Sequence, residues 1–274
     1  MSDTFGVDVD IGPYSGRIHS DYHTPAILKA AGDCAALLRH PSCRILDASR
    51  NRIGVVTLSL GADRAVDVVI KGFRTEGVNK LKSLFQASKA WRAWRGSRAL
   101  VKAGLGTPLP IGYLEKRTGS FLEQSYFLNE YIPDVTEIRV LFRELSSDGL
   151  VLLLEELARY LSRCAEAGID HRDLSDGNIL VRKSPDGPSQ FYLLDTNRIR
   201  LADKIGTLRG IKGLIRLGIP KHHQKTFLAR YLQRPVVSGW LWAWYRLNKS
   251  GYTNYVAIKR TLGLRKIAQK LKIQ

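Results

Sequence analysis

His171-Arg172-Asp173-Leu174-Ser175-Asp176-Gly177-Asn178-Ile179-Leu180 is the stretch on which the reading of this chain turns. A carboxylate at Asp173 is followed five positions on by the amide of Asn178, with His171 and Arg172 directly ahead. Four residue types at fixed offsets recur by chance in roughly 0.2% of chains this long, so the spacing is informative. The flanks agree with it. Leu150, Leu153, Leu154, Leu157 and Leu161 follow a helical period, with Ser147 and Asp148 as expected caps and Gly168 as the expected end. Ile179-Leu180-Val181 then reads as a short strand. The bland alternative is a polar turn that only caps the helix.

Working outward, the loop places a carboxylate where it can accept a hydroxyl proton and orient that oxygen toward phosphorus. It matches the catalytic-loop pattern of kinases. Asp173 is the candidate base, and Asn178 offers a neutral oxygen ligand suited to Mg²⁺. Asp176 reads as support for the turn. Phe191-Tyr192-Leu193-Leu194-Asp195-Thr196-Asn197-Arg198 ends a second apolar strand on a carboxylate, 22 residues beyond Asp173. Asp195 is the expected metal-binding aspartate, with Asp-Thr-Asn in place of the usual Asp-Phe-Gly. Val68-Val69-Ile70-Lys71 ends a β-rich segment on a lysine fit to hold nucleotide phosphates. Ala48-Ser49-Arg50-Asn51-Arg52-Ile53-Gly54, where a phosphate-covering loop is expected, has one glycine; Ser49, Arg50 and Arg52 would have to bind phosphate by side chain. The helix expected over Val78–Ala103 contains no Asp or Glu, so Glu76 is the nearest acidic partner for Lys71.

The 274 residues carry 43 Lys and Arg against 25 Asp and Glu, a formal net charge of +18. With 44% hydrophobic residues, disorder is excluded. The charge is uneven. Residues 201–274 hold 16 Lys and Arg and one carboxylate, Asp203, for +15, whereas the first 200 residues hold 27 against 24. A field so one-sided attracts polyanions: nucleic acid, acidic lipid headgroups or a phosphorylated substrate. Trp240, Trp242 and Trp244 lie inside this basic quarter. Tryptophan beside cations suits a membrane–water interface, although the same rings could close a helical core. No nucleic-acid motif stands out, so nucleic acid is not an expected partner. Three cysteines (Cys34, Cys43, Cys164) without a paired spacing fit a reducing cytoplasm. No signal peptide is expected from Met1-Ser2-Asp3-Thr4. The longest strongly apolar run, Leu150–Leu154, is far below the ~20 residues of a membrane span.

The coarse element order sets the domains. Residues 1–40 read as an N-terminal extension with a helix over Pro25–Arg39. Residues 41–132 read as a β-rich N-lobe, with strands at Cys43–Ala48, Gly54–Leu60 and Ala65–Ile70, then the long helix closed by Gly104, then a hairpin of Ile111–Lys116 and Ser125–Ile132. Residues 133–274 read as a helical C-lobe with short strands at Ile179–Arg182 and Phe191–Leu194. A β-rich half before a helical half suggests two lobes with a cleft.

Ser88-Lys89-Ala90-Trp91-Arg92-Ala93-Trp94 and Ala103-Gly104-Leu105-Gly106-Thr107-Pro108-Leu109-Pro110 resemble the lipopolysaccharide core kinases, bacterial enzymes that phosphorylate Kdo or heptose sugars of lipid A–core. His171–Leu180, Leu194–Arg200 and the arginine-rich Leu208–Leu217 continue the resemblance. It spans roughly residues 45–235. It implies an α+β, two-lobed protein-kinase-like fold, with ATP and Mg²⁺ as cofactors. It further implies Lys71 on ATP phosphates, Asp173 as base, and Asn178 and Asp195 on Mg²⁺. Ser49, Arg50, Gly54, Glu130 and Ile132 complete the expected nucleotide contacts. Members usually carry a glutamate between the two tryptophans, where this chain has Ala93. The resemblance also implies an anionic glycolipid substrate and a peripheral place on the cytoplasmic face of the inner membrane. The residues themselves leave other acceptors open, a protein serine or threonine or a small alcohol. They also admit an inactive kinase fold that binds a membrane or a partner.

Overall fold

The computed structural model describes residues 5–48, 51–60, 64–73, 75, 83–184 and 187–261. The chain forms two compact units, one drawn from Met1–Ser97 and Pro108–Ile132, the other from Arg98–Thr107 and Pro133–Lys266.

The first unit is built on an antiparallel sheet, seven-stranded among the described residues. Its strands are β1 (Gly6–Ile11), β2 (Tyr14–His19), β3 (Arg44–Asp47), β4 (Arg52–Ser59), β5 (Ala65–Phe73), β6 (Pro110–Thr118) and β7 (Phe121–Glu130). They lie in the order β1-β2-β6-β7-β5-β4-β3. In β5 the period of two sends Val68 and Ile70 into the core and leaves Val69 and Lys71 on the opposite face. Lys71 therefore sits inside β5, opposite Ile53 of β4 and Phe127 of β7, and not at a strand end.

Residues 5–40, within the stretch expected as an extension, are part of this unit. β2 pairs with β6, and Ile18, Tyr22, Ile27 and Cys34 are buried with Val68, Ile70 and Leu128. The hairpin escapes a sequence reading because β1 alternates acid with valine (Val7-Asp8-Val9-Asp10) and resembles a polar tail. The helix expected over Pro25–Arg39 is two: α1 (Pro25–Gly32), capped by Thr24 Oγ1 on the Ile27 N–H, and α2 (Cys34–Leu37). The long helix also differs. Among the described residues it runs Lys89–Lys102 as α3, because Ser88 Oγ accepts the Trp91 N–H and caps it there; the start expected at Val78 lies outside the described residues. Gly104 closes it as expected, at φ +64, with the Leu105 N–H returning to Leu100 O at 2.9 Å.

The second unit gathers the C-terminal end of α3 with α4 (Ile138–Glu144), α5 (Ser147–Glu166), α6 (Thr207–Gly213), α7 (Gln224–Tyr231) and α8 (Gly239–Thr261). Its short strands are β8 (Thr136–Glu137), β9 (Ile169–His171), β10 (Ile179–Arg182), β11 (Gln190–Leu193) and β12 (Ile199–Leu201), paired as β11-β10-β8 and β12-β9. The leucine stripe of α5 is buried as its period requires, each side chain worth about 1.5–3 kcal/mol of transfer free energy. The cap is Ser146, one residue before those expected, since its Oγ accepts the Gly149 N–H. Leu241 and Tyr245 of α8 join this core, while Trp240 stays outside it.

Candidate active site

The second unit assembles the loop residues. β9 enters the loop, a 3₁₀ turn at Asp176–Asn178 leaves it, and β10 follows. His171 is buried. Its Nδ1 accepts the Asp173 N–H at 3.3 Å and its Nε2–H donates to Leu194 O at 2.7 Å. Accepting on one nitrogen and donating from the other defines a neutral ring, and burial pushes its pKa below the usual histidine range, against the pull of Asp195 and Asp173. One imidazole thus fixes the backbone at Asp173 and the strand end before Asp195. The Leu194 N–H also donates to Asn178 O at 2.9 Å, and Asn178 Nδ2 donates to Asp173 O at 2.8 Å. Asp173, Asn178 and the Leu194 backbone, one residue before Asp195, are therefore tied into one hydrogen-bonded unit. Asp195 takes the left-handed conformation at φ 52 as the chain turns out of β11.

The donor set fits a hard divalent cation. With Nδ2 spent on Asp173 O, the Asn178 amide keeps Oδ1 as its acceptor, and Asp195 adds a carboxylate; oxygen donors of this kind suit Mg²⁺.

Three partners escaped the sequence reading. Arg216 Nη1 forms an ion pair with Asp173 Oδ1, and its guanidinium lies 5.4 Å from the ring centroid of Tyr252 on α8. Arg209 of α6 places Nε at 2.8 Å and Nη2 at 2.6 Å from Oδ2 of the buried Asp170, anchoring β9. Asp176, read as turn support, is clamped by the Gly218 N–H at 2.7 Å. Burial raises its pKa, opposed by that hydrogen bond and by Lys249. A Cβ at Gly218 would stand 2.3 Å from Asp176 Oδ2, so only glycine allows this approach. No short spacing announces these contacts, since 43 residues separate Arg216 from Asp173; the arginine-rich stretch was the one available sign.

The first unit holds the other expected residues. Gly54, Lys71 and Glu130 lie on the adjacent strands β4, β5 and β7. Lys71 Nζ is 5.4 Å from the Phe73 ring centroid. Gly54 has a packing reason of its own, since a Cβ there would stand 2.3 Å from Cys43 Sγ. Glu130 Oε1 accepts from the Tyr22 hydroxyl and its carbonyl from Asn129 Nδ2, both within the unit. Ile132 follows the end of β7. Ala93 packs in a cluster with Phe73, Trp94 and Phe127. Ser49, Arg50 and Glu76 lie outside the described residues.

A β-rich N-terminal unit, a helical C-terminal unit and this loop define a protein-kinase-like fold. The lipopolysaccharide kinase (Kdo/WaaP) family profile matches residues 44–218, and the chain belongs to that family. Among solved structures it is similar to WaaP in complex with acyl carrier protein, with a TM-score of 0.60 and 17% identity, covering 83% of this chain and 97% of that one. No curated protein matches the sequence.

Proposed function

We propose that the protein transfers the γ-phosphoryl group of ATP to a hydroxyl of a lipopolysaccharide inner-core sugar, Kdo or heptose, on the cytoplasmic face of the inner membrane. The observation that carries this reading is the network of His171, Asp173, Asn178 and the Leu194 backbone, which leads directly into Asp195. ATP is the phosphoryl donor, and a bound Mg²⁺ would supply neutralisation of the charge that develops on transfer. Asn178 Oδ1 and Asp195 would hold that metal, and Lys71 the α- and β-phosphates. Asp173 accepts the proton of the acceptor hydroxyl and aims its oxygen. Arg216, paired to Asp173 before substrate arrives, is assigned to an anionic group of the acceptor, which frees the carboxylate as it binds. The remaining catalysis is positioning. A protein partner is a further proposal, taken from the acyl carrier protein in the WaaP complex.

The test offers Mg-ATP with lipid A–core, a generic protein substrate and an aminoglycoside in parallel. Label entering lipid A–core alone supports the assignment. Label entering either of the others moves the acceptor class. Label entering none, with ATP binding intact by thermal shift, supports the non-catalytic reading.

A further inference from the structure

Helix α8 turns Leu241 and Tyr245, exposed by 1% and 2%, into the core of its unit. The opposite side of such a helix is expected to be polar. Here it is not. Trp240, Leu247, Tyr255 and Ile258 are exposed by 62%, 70%, 58% and 58%. At 100° per residue, Trp240, Leu247 and Ile258 fall within about 20° of one another around the axis, with Tyr255 about 60° away. The apolar line is about 27 Å long, and Val236, 72% exposed, stands just ahead of it.

The charge of the helix says what covers this face. Gly239–Thr261 contains no Asp or Glu and has Arg246, Lys249, Lys259 and Arg260. Lys249 points inward, its Nζ donating to Leu217 O at 2.5 Å. Arg246 and Lys259 are exposed. Among the described residues no helix is long and apolar enough to cross a membrane. An apolar line with an indole at one end, on a helix whose charged residues are all cations, suits a flat anionic surface.

We propose that α8 is the face on which the protein lies against an anionic lipid bilayer. Trp240, Leu247, Tyr255 and Ile258 enter the boundary of headgroups and acyl chains, and Arg246 and Lys259 meet lipid phosphates. The helix lies beyond the matched family segment, residues 44–218. The surface is that by which a membrane-side kinase would meet its bilayer, yet the inference rests on α8 alone.

Co-sedimentation with vesicles of phosphatidylcholine, with and without phosphatidylglycerol, tests it. The full chain should bind the anionic vesicles, less so at high salt. Leu247→Glu with Ile258→Glu should weaken binding by at least about tenfold, since each lost apolar contact is worth about that factor. Both side chains are exposed, so the thermal melt should not move. Brominated lipid should quench the fluorescence, and Trp240→Phe should remove most of that quenching. Asp173→Ala should bind vesicles as the wild type does, which separates this face from the chemistry. Undiminished binding by the double variant, or no binding by the wild type, overturns the proposal. So does a wild-type dimer that the double variant splits, because α8 would then face a second copy.

Discussion

Arg216 and His171 set the behaviour of Asp173 from opposite sides. Arg216 holds its carboxylate, while the neutral His171 holds its backbone. If Arg216 serves the acceptor, Arg216→Ala should raise the KM for lipid A–core by about tenfold or more and leave the KM for ATP unchanged, a split that steady-state kinetics reads directly. A merely structural Arg216 would move both constants together. His171 gives a pH dependence. Its folded pKa is lowered by burial, so on unfolding it takes up a proton below its ordinary value of about 6.5. Its contribution is neutral above that pH and destabilises the fold as pH falls toward the lowered value. Chemical denaturation at about pH 7 and about pH 5 should show declining stability. His171→Phe should flatten that slope by up to ~1.4 kcal/mol per pH unit, whatever its fixed cost. His19, also lowered by burial, keeps its share in the variant.

At the scale of elements, two pieces do work the sequence does not advertise. The β1–β2 hairpin supplies Ile18, and the segment after it Tyr22, Ile27 and Cys34, to the sheet's core. A chain beginning at residue 41 should therefore lose the cooperative thermal unfolding of the first unit by circular dichroism and keep that of the second, whose core takes nothing from these residues. A normal melt would mean that residues 1–40 are dispensable after all. Helix α8 has two faces with separate tasks. Inside, Lys249 reaches Leu217 O and Tyr252 lies against Arg216, so the helix supports the segment that grips Asp173 and Asp176. Outside is the apolar line.

Across the whole molecule, what was legible from sequence is what local chemistry decides. The fold class followed from the loop His171–Asn178 and from strand and helix periods, because those signals act over a few residues. The leucine stripe of α5 and the glycine closing α3 were legible for the same reason. The pairing of β9 with β12 was not, since each has three residues and is stabilised only by its partner. Nor were the ion pairs to Asp170 and Asp173, which need the fold to bring distant arginines home. The basic last quarter was visible as a count, but only the structure separates the inward tryptophan neighbours Leu241 and Tyr245 from the outward Trp240. The central claim is that Asp173 drives phosphoryl transfer to a core sugar. Mass spectrometry of lipid A–core incubated with Mg-ATP and either wild-type protein or Asp173→Ala tests it most directly. The account expects one added phosphate with the wild type and a rate lower by about 10²–10⁴-fold with the variant; an unmodified glycolipid from the wild type, or equal phosphorylation by both, would contradict it.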